Sequence, residues 1–346
     1  MQTAVPLPRE ARTLPQPYLL FLGDVTEPGY AKTAFGLRDW APERCVGEYA
    51  CRGATVSAGL RAMTPAQARL LGARAMVIGI ANPGGRIPAT WLPQLLEALQ
   101  AGLDLIGGMH ARLSEIEPLR TAAILHGRRL VDVREPPQDL PVASGRKRSG
   151  RRLLTVGTDC ALGKKYTALS LVRAFRERGQ DADFRASGQT GILIAGEGVP
   201  MDAVVADFAA GAAELLSPDA DPAHWDVVEG QGSLSHPAYA GVSLALLHGS
   251  QPDVIVVCHE HGRERMLGHP HYLLPSIEDT IDLALRLGGR TNPAIRCAGV
   301  SLNTGGLAPD AAQRAIDDTA LRLGLPVADP MRGGEAFARL VDACLA

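Results

Sequence analysis

Short apolar runs alternate with longer stretches of helical periodicity along most of the chain. That alternation is the pattern of α/β folds built on parallel sheets. In the first half, residues 18–22, 75–80 and 103–106 predict strands, and 64–71 and 90–101 predict helices. Glycine-bearing turns follow the strands, at Gly23-Asp24, at Ala81-Asn82-Pro83-Gly84-Gly85-Arg86 and at Gly107-Gly108-Met109-His110. In the second half, residues 153–156, 183–186, 225–229, 253–259 and 296–302 predict strands. Helices are predicted there over 164–178, 201–216, 238–248, 277–287 and 309–323. The reading is an α/β protein of two doubly wound parallel-sheet domains, a Rossmann-like one over 1–140 and a P-loop NTPase-like one over 153–346. Between them, 141–152 reads as a basic linker holding Arg146, Lys147, Arg148, Arg151 and Arg152. Such a segment is either a solvated connector or a set of arginines facing an anionic ligand.

Composition narrows the partners. A chain of 346 residues with 46% hydrophobic and 21% charged positions has core enough for two globular domains. The net charge of −2 gives no global field for nucleic acid or a membrane surface. Aromatic residues, at 4%, are too few for a base-stacking platform. No run approaches the roughly 18 apolar residues of a membrane span. Six scattered cysteines without a Cys-x-x-Cys pair suit reduced thiols and a cytoplasmic protein. The proline-rich residues 1–17 are expected to be loose.

One turn carries most of the chemistry. After the strand at 153–156 comes Gly157-Thr158-Asp159-Cys160-Ala161-Leu162-Gly163-Lys164-Lys165-Tyr166-Thr167, which opens a helix. A glycine-rich strand-to-helix turn closed by Gly-Lys holds phosphate through backbone N–H groups, the helix N-terminus and the lysine. Thr158 stands at the usual first glycine, with Gly157 one residue earlier. Lys165 occupies the place of the Mg²⁺-binding hydroxyl, and the nearest hydroxyl is Thr167. A second lysine repels a metal and attracts phosphate, so the loop leans toward gripping an anion rather than hydrolysing one. Cys160 lies near a helix N-terminus that favours a thiolate; it is either a nucleophile or a small loop residue.

Ligands in doubly wound sheets gather at the carboxyl ends of the strands. Those ends read Ser187-Gly188-Gln189-Thr190-Gly191, Glu229-Gly230-Gln231-Gly232-Ser233-Leu234-Ser235-His236, Cys258-His259-Glu260-His261-Gly262-Arg263 and Asn303-Thr304-Gly305-Gly306. Glu229 ends an apolar strand, as a Walker B acid does; it is a proton acceptor, a ligand for a substrate ammonium, or a carboxylate satisfied by loop N–H groups. His259 and Glu260 are candidate bases, or side chains satisfied structurally. No His-x-x-x-His spacing supports a metal site, and none is assigned. Gln189, Thr190, Gln231 and Ser233 are candidates to orient substrate. In the first half, Lys32 and Arg86 follow strand-end turns and are candidates for substrate carboxylates.

These segments together resemble one family. The Gly-Thr-Asp-Cys-Ala-Leu-Gly-Lys loop carries the resemblance, with the run Gly188 to Gly196, the segment Glu229 to Leu234, Ala31-Lys32-Thr33-Ala34 and Pro83-Gly84-Gly85-Arg86. The chain is identified as a member of the DgcN-type D-glutamate N-acetyltransferase family, with an N-terminal Rossmann-like and a C-terminal P-loop domain. The resemblance covers nearly the whole chain from about Tyr18. It implies acetyl-CoA as the ligand of the phosphate loop, a small acidic amino acid as substrate, and a homo-oligomer. It implies transfer in which a base, Glu229 or His259, frees the amine to attack the thioester while backbone N–H groups stabilise the oxyanion. The Gly-Thr-Asp start and Glu229-Gly230 also resemble dethiobiotin synthetase. The alternatives are therefore an ATP- and Mg²⁺-dependent ligase or kinase, and a nucleotide-binding protein without catalysis.

Overall fold

Two parallel sheets organise residues 14–346, the part of the chain that the structure, a computed structural model, describes. Residues 1–13 of the expected loose stretch lie outside the described residues. The chain divides into two units, Met1–Pro136 with Gln189–Pro200, and Pro137–Gly188 with Met201–Ala346. Among the described residues no helix is long and apolar enough to cross a membrane.

The first unit holds β1 (Tyr18–Phe21), β2 (Cys45–Tyr49), β3 (Ala75–Ile78), β4 (Asp104–Gly107) and β5 (Leu130–Asp132) in the order β2-β1-β3-β4-β5. Every pair is parallel. β1, β3 and β4 are buried at every position, as expected of strands covered on both faces. Helices α1 (Lys32–Trp40), α2 (Pro65–Leu70), α3 (Leu92–Gln100) and α4 (Glu117–His126) connect them. α2 starts on a capping box: the Gln67 N–H donates to Thr64 Oγ1, the Thr64 N–H donates to Gln67 Oε1, and Pro65 follows the cap.

In the second unit, β6 (Arg151–Gly157) leads through the phosphate loop to α5 (Lys164–Glu177) and β7 (Ala182–Arg185). Next comes α6 (Gln189–Ala195), which belongs to the first unit. Then follow α7 (Ala206–Leu216), β8 (Trp225–Val228), α8 (Ala240–Ser250) and β9 (Val254–Glu260). A hairpin, β10 (Arg265–Met266) with β11 (His269–Leu273), precedes α9 (Ile277–Gly288). The chain ends through β12 (Arg296–Asn303), α10 (Pro309–Leu323), β13 (Val327–Ala328) and α11 (Gly334–Leu345). The six-stranded sheet runs β13-β12-β9-β6-β8-β7, all parallel. β6 has β8 on one side and β9 on the other, so the chain winds both ways from it and the loop after it occupies the switch point. Phe175 of α5 meets Trp225 of β8 edge-on at 5.2 Å in the core. Burying each such side chain contributes about 1.5–3 kcal/mol. α7 and α8 approach closely at Gly249, where a Cβ would lie 2.1 Å from the Ala210 carbonyl oxygen.

Three expectations change. Residues 187–191 were expected as a strand-end loop, but Gln189 begins helix α6. Its Ile192-Leu193-Ile194 run is too short for periodicity to separate helix from strand. The helix expected from residue 201 begins at Ala206, and Met201–Ala203 form only a 3-10 turn. The basic segment at 141–152 ends inside β6, and Arg148 and Arg152 are buried. Arg148 donates to the carbonyls of Ser217 and Gly249, both at 2.7 Å. Arg152 donates to Pro218 at 2.7 Å and Ser149 at 2.8 Å. These two arginines therefore neither float in solvent nor face a ligand; they satisfy carbonyls at the C-terminal ends of α7 and α8, where helices leave acceptors unpaired.

Candidate functional site

The phosphate loop is anchored to the end of β9. Gly157 pairs in register with Cys258, and the Thr158 N–H donates to the Cys258 carbonyl at 3.2 Å. Thr158 Oγ1 lies 2.9 Å from His259 Nδ1. Ala161 and Gly163 hold positive φ angles of 55° and 104°, which for Ala161 is a strained conformation of a kind that collects at functional loops. Lys164 is buried, and its Nζ donates to the Asp159 carbonyl at 2.7 Å. Burial pushes the Lys164 ammonium below its ordinary range, against the opposing charges of Cys160, Cys258, Asp159 and Glu229. Lys165 is half-buried, its ammonium 5.2 Å from the centre of the Tyr166 ring.

Two features bear on magnesium. Thr167, the nearest hydroxyl, is turned into the sheet, where its Oγ1 lies 2.7 Å from Ser301 Oγ and accepts from Cys258 Sγ at 3.5 Å. Glu229, at the Walker B position, is buried and spends Oε2 on the N–H groups of Ser187 and Gly188, at 3.0 and 3.1 Å. Burial raises its pKa, against the pull of Lys165, these two N–H groups and Lys164. The Ser187 hydroxyl returns a bond to the Glu229 carbonyl at 2.5 Å and accepts from Gln231 Nε2 at 3.0 Å. Gly230 packs so tightly that a Cβ would lie 1.6 Å from the Thr155 carbonyl oxygen. Ser233 is buried and accepts from the Ser235 N–H at 3.3 Å.

Of the other candidates, His259 is half-buried. Desolvation first, then the charges of His261, Arg263 and Arg322, hold its pKa down to about 4, so the ring is neutral at physiological pH. Glu260 is ion-paired with Arg263. The remaining four belong to the first unit. Lys32 is exposed at the first position of α1. Arg86 is exposed after a turn in which its N–H donates to Asn82 Oδ1 at 3.1 Å. Gln189 opens α6 against Gly108, where a Cβ would lie 2.8 Å from the Gln189 Cβ. Thr190 is buried, with its Oγ1 2.9 Å from Thr33 Oγ1. The structure thus gathers Gly157 to Thr167, Glu229, Gln231, Ser233, His259 and Glu260 in the second unit, and Lys32, Arg86, Gln189 and Thr190 in the first.

Sequence reasoning passed over His236 and Arg263. Arg263 Nη1 lies 3.2 Å from Asp159 Oδ2 and donates to the Cys160 carbonyl at 2.9 Å. The same carboxylate accepts the Leu267 N–H at 2.8 Å and, through Oδ1, the Cys160 N–H at 2.6 Å. His236 is 1% exposed, and its Nε2 stands 3.8 Å from Asp159 Oδ1 without a hydrogen-bond partner. Its position in the Glu229–His236 loop was the available signal; nothing in the spacing showed that the loop folds back onto Asp159.

Fold and loop together define a two-unit α/β protein with a P-loop at the carboxyl edge of its second sheet. Residues 141–341 match the family model described as the P-loop domain of a domain of unknown function, DUF1611, and residues 43–136 match its Rossmann-like N-terminal domain. The chain belongs to this DUF1611 family. It is 48% identical over 318 residues to a D-glutamate N-acetyltransferase of a Pseudoalteromonas species, covering 92% of this chain and 96% of the relative. It is also 48% identical over 330 residues to a D-glutamate N-acetyltransferase of Tritonibacter scottomollicae, covering 95% and 98%. The crystal structure of a DUF1611 family protein from Anabaena variabilis superposes with a TM-score of 0.85 at 34% identity, covering 95% of this chain and 99% of that one.

Proposed function

We propose that the protein transfers an acetyl group from acetyl-CoA to the amino group of D-glutamate or a similar acidic amino acid. The names of the two relatives at 48% identity support the reaction. The observation that carries the choice of ligand is Thr167: its hydroxyl is committed to Ser301, and Lys165 stands where a magnesium-binding hydroxyl would be. A loop with two lysines at a helix N-terminus suits the phosphates of a coenzyme that is held and not hydrolysed. Acetyl-CoA supplies an activated acyl thioester. Lys164, Lys165 and the N–H groups of residues 157–164 bind its phosphates. His259, held neutral, takes a proton from the substrate ammonium, its Nδ1 steadied by Thr158. Glu260 is ion-paired with Arg263, and Glu229 Oε2 is committed to the N–H groups of Ser187 and Gly188, so neither carboxylate is as free to turn to a substrate.

An ATP-dependent ligase or kinase is the second reading, favoured by the Gly-Thr-Asp start of the loop. Incubation with D-glutamate and either acetyl-CoA or MgATP, following free thiol and ADP, separates the two. Thiol release that requires D-glutamate is expected. ADP release without thiol would sink the transferase reading, and silence in both would favour a non-catalytic binder. Lys164→Ala should weaken acetyl-CoA binding roughly tenfold to a hundredfold, the loss of one charge-assisted hydrogen bond. Unchanged affinity in a titration would remove the loop from the binding site.

A further inference from the structure

We propose that four rings beside the phosphate loop, Tyr239, His236, His269 and Tyr272, form the surface on which the adenine of the coenzyme stacks. This deepens the coenzyme reading above and rests on the loop holding an adenine nucleotide.

The rings form a continuous row. Tyr239 stacks on His236, with centroids 4.6 Å apart and 28° between the planes. His236 meets His269 edge-on at 5.0 Å, and His269 meets Tyr272 edge-on at 6.1 Å. These are the stacked and T-shaped arrangements that aromatic rings prefer. His236 is buried in the middle of the row, whereas Tyr239 and Tyr272, at its two ends, are 52% and 51% exposed. The edge-on pair Phe175–Trp225, by contrast, is buried in the core. A row that only packs would cover its ends; this one leaves two broad rings open. Leu267 and Leu273 of the same hairpin are exposed as well and extend the apolar surface. Burial, with His269 and Lys164 and against Asp159, holds the pKa of His236 down, so the row is a neutral stack. Aromatic residues are few along the chain, but two of these rings are histidines, and the fold brings the loop before α8 and the hairpin after β9 together.

Position decides the occupant. Asp159, inside the phosphate loop, ties the row to it. Its Oδ2 accepts the N–H of Leu267, in the turn between β10 and β11, at 2.8 Å, and its Oδ1 lies 3.8 Å from His236 Nε2. Arg263, just before the hairpin, donates to the Cys160 carbonyl at 2.9 Å. These contacts fix the rings against the loop before a ligand arrives, which lowers the ordering cost of binding. Acetyl-CoA and ATP both carry their phosphates on an adenosine, and one ribose separates the purine from them. With the phosphates on the loop, the purine falls within reach of the row. Its flat π face suits an exposed tyrosine, and stacking of this kind is strong enough to set affinity.

The test titrates the full chain with acetyl-CoA, with 3′,5′-ADP, and with S-acetyl-4′-phosphopantetheine, which lacks the adenosine. Tyr239→Ala and Tyr272→Ala should each weaken acetyl-CoA and 3′,5′-ADP roughly fivefold to a hundredfold. Affinity for S-acetyl-4′-phosphopantetheine should stay at the wild-type value. Phenylalanine at either position should keep the wild-type affinities, which separates loss of the ring from loss of the fold. A Tyr272→Trp variant should lose indole fluorescence on binding 3′,5′-ADP and keep it with pyrophosphate. Alanine variants that bind 3′,5′-ADP as wild type does would overturn the proposal. So would an equal loss of S-acetyl-4′-phosphopantetheine, which would give the row to the pantetheine arm. A dimer that Tyr272→Ala dissociates at unchanged coenzyme affinity would give it to a second copy of the chain, and would overturn the proposal too. Transfer is read separately, by thiol release with D-glutamate. Full thiol release with tyrosine variants of wild-type affinity would overturn the adenine row and leave the transferase standing. A wild type that shows the tyrosine effects but releases no thiol with any amino acid would overturn the transferase and leave the row.

Discussion

At Glu229 a single carboxylate oxygen holds two backbone N–H groups, those of Ser187 and Gly188, where the chain leaves the second unit. Removing it strands two buried donors, each at a cost of about 1–3 kcal/mol. Glu229→Ala should therefore lower the unfolding free energy by about 2–5 kcal/mol in urea titrations. Glu229→Gln keeps an acceptor oxygen and should stay within about 1 kcal/mol of wild type. An alanine variant as stable as wild type would show that the carboxylate is not structural. A glutamine variant that is stable yet inactive would return Glu229 to the list of bases. At this scale the sequence was legible where local spacing decides the outcome: Gly157 to Lys164 form the expected loop between β6 and α5. It was not legible where a side chain finds a partner far along the chain. Thr167 meets Ser301 and His236 approaches Asp159 through the sheet order, which no local pattern encodes.

Elements show the same division. The strands at 75–78 and 296–303 and the helix at 309–323 were readable because continuous apolar runs and helical periodicity are local. β13 has only two residues and β5 three, too short to carry a pattern. The basic segment misled for another reason: charge reads as solvated, yet a guanidinium can be buried when carbonyls surround it. Arg152 donates to five, those of Arg148, Ser149, Gly150, Ser217 and Pro218. Arg152→Met preserves the stem and orphans these acceptors, and should lower stability by about 2–4 kcal/mol. Arg152→Lys should recover only part of it, because an ammonium cannot span the fork. Urea midpoints of the two variants check this, and a methionine variant at the wild-type midpoint would refute it.

For the whole molecule, the unit built around the first sheet is not contiguous in sequence. Gln189–Pro200 complete it, burying Ile192, Leu193 and Ile194, and Arg44 donates to the Ile194 carbonyl at 2.7 Å. Three such side chains are worth about 1.5–3 kcal/mol each, comparable to the net stability of a small domain. A fragment ending at Pro136 should unfold at lower urea than the same fragment joined by a glycine–serine linker to residues 189–200. Equal midpoints would show that α6 is dispensable to that unit. The excursion is closed at its base by the Met201 N–H donating to the Ser187 carbonyl at 2.9 Å. During synthesis the ribosome delivers β1 through β5 first, but the segment that finishes their unit emerges only after β7. The portion of the protein that is made first is thus completed late, and the face of α1 that Thr190 meets waits uncovered until Pro200 has left the exit tunnel.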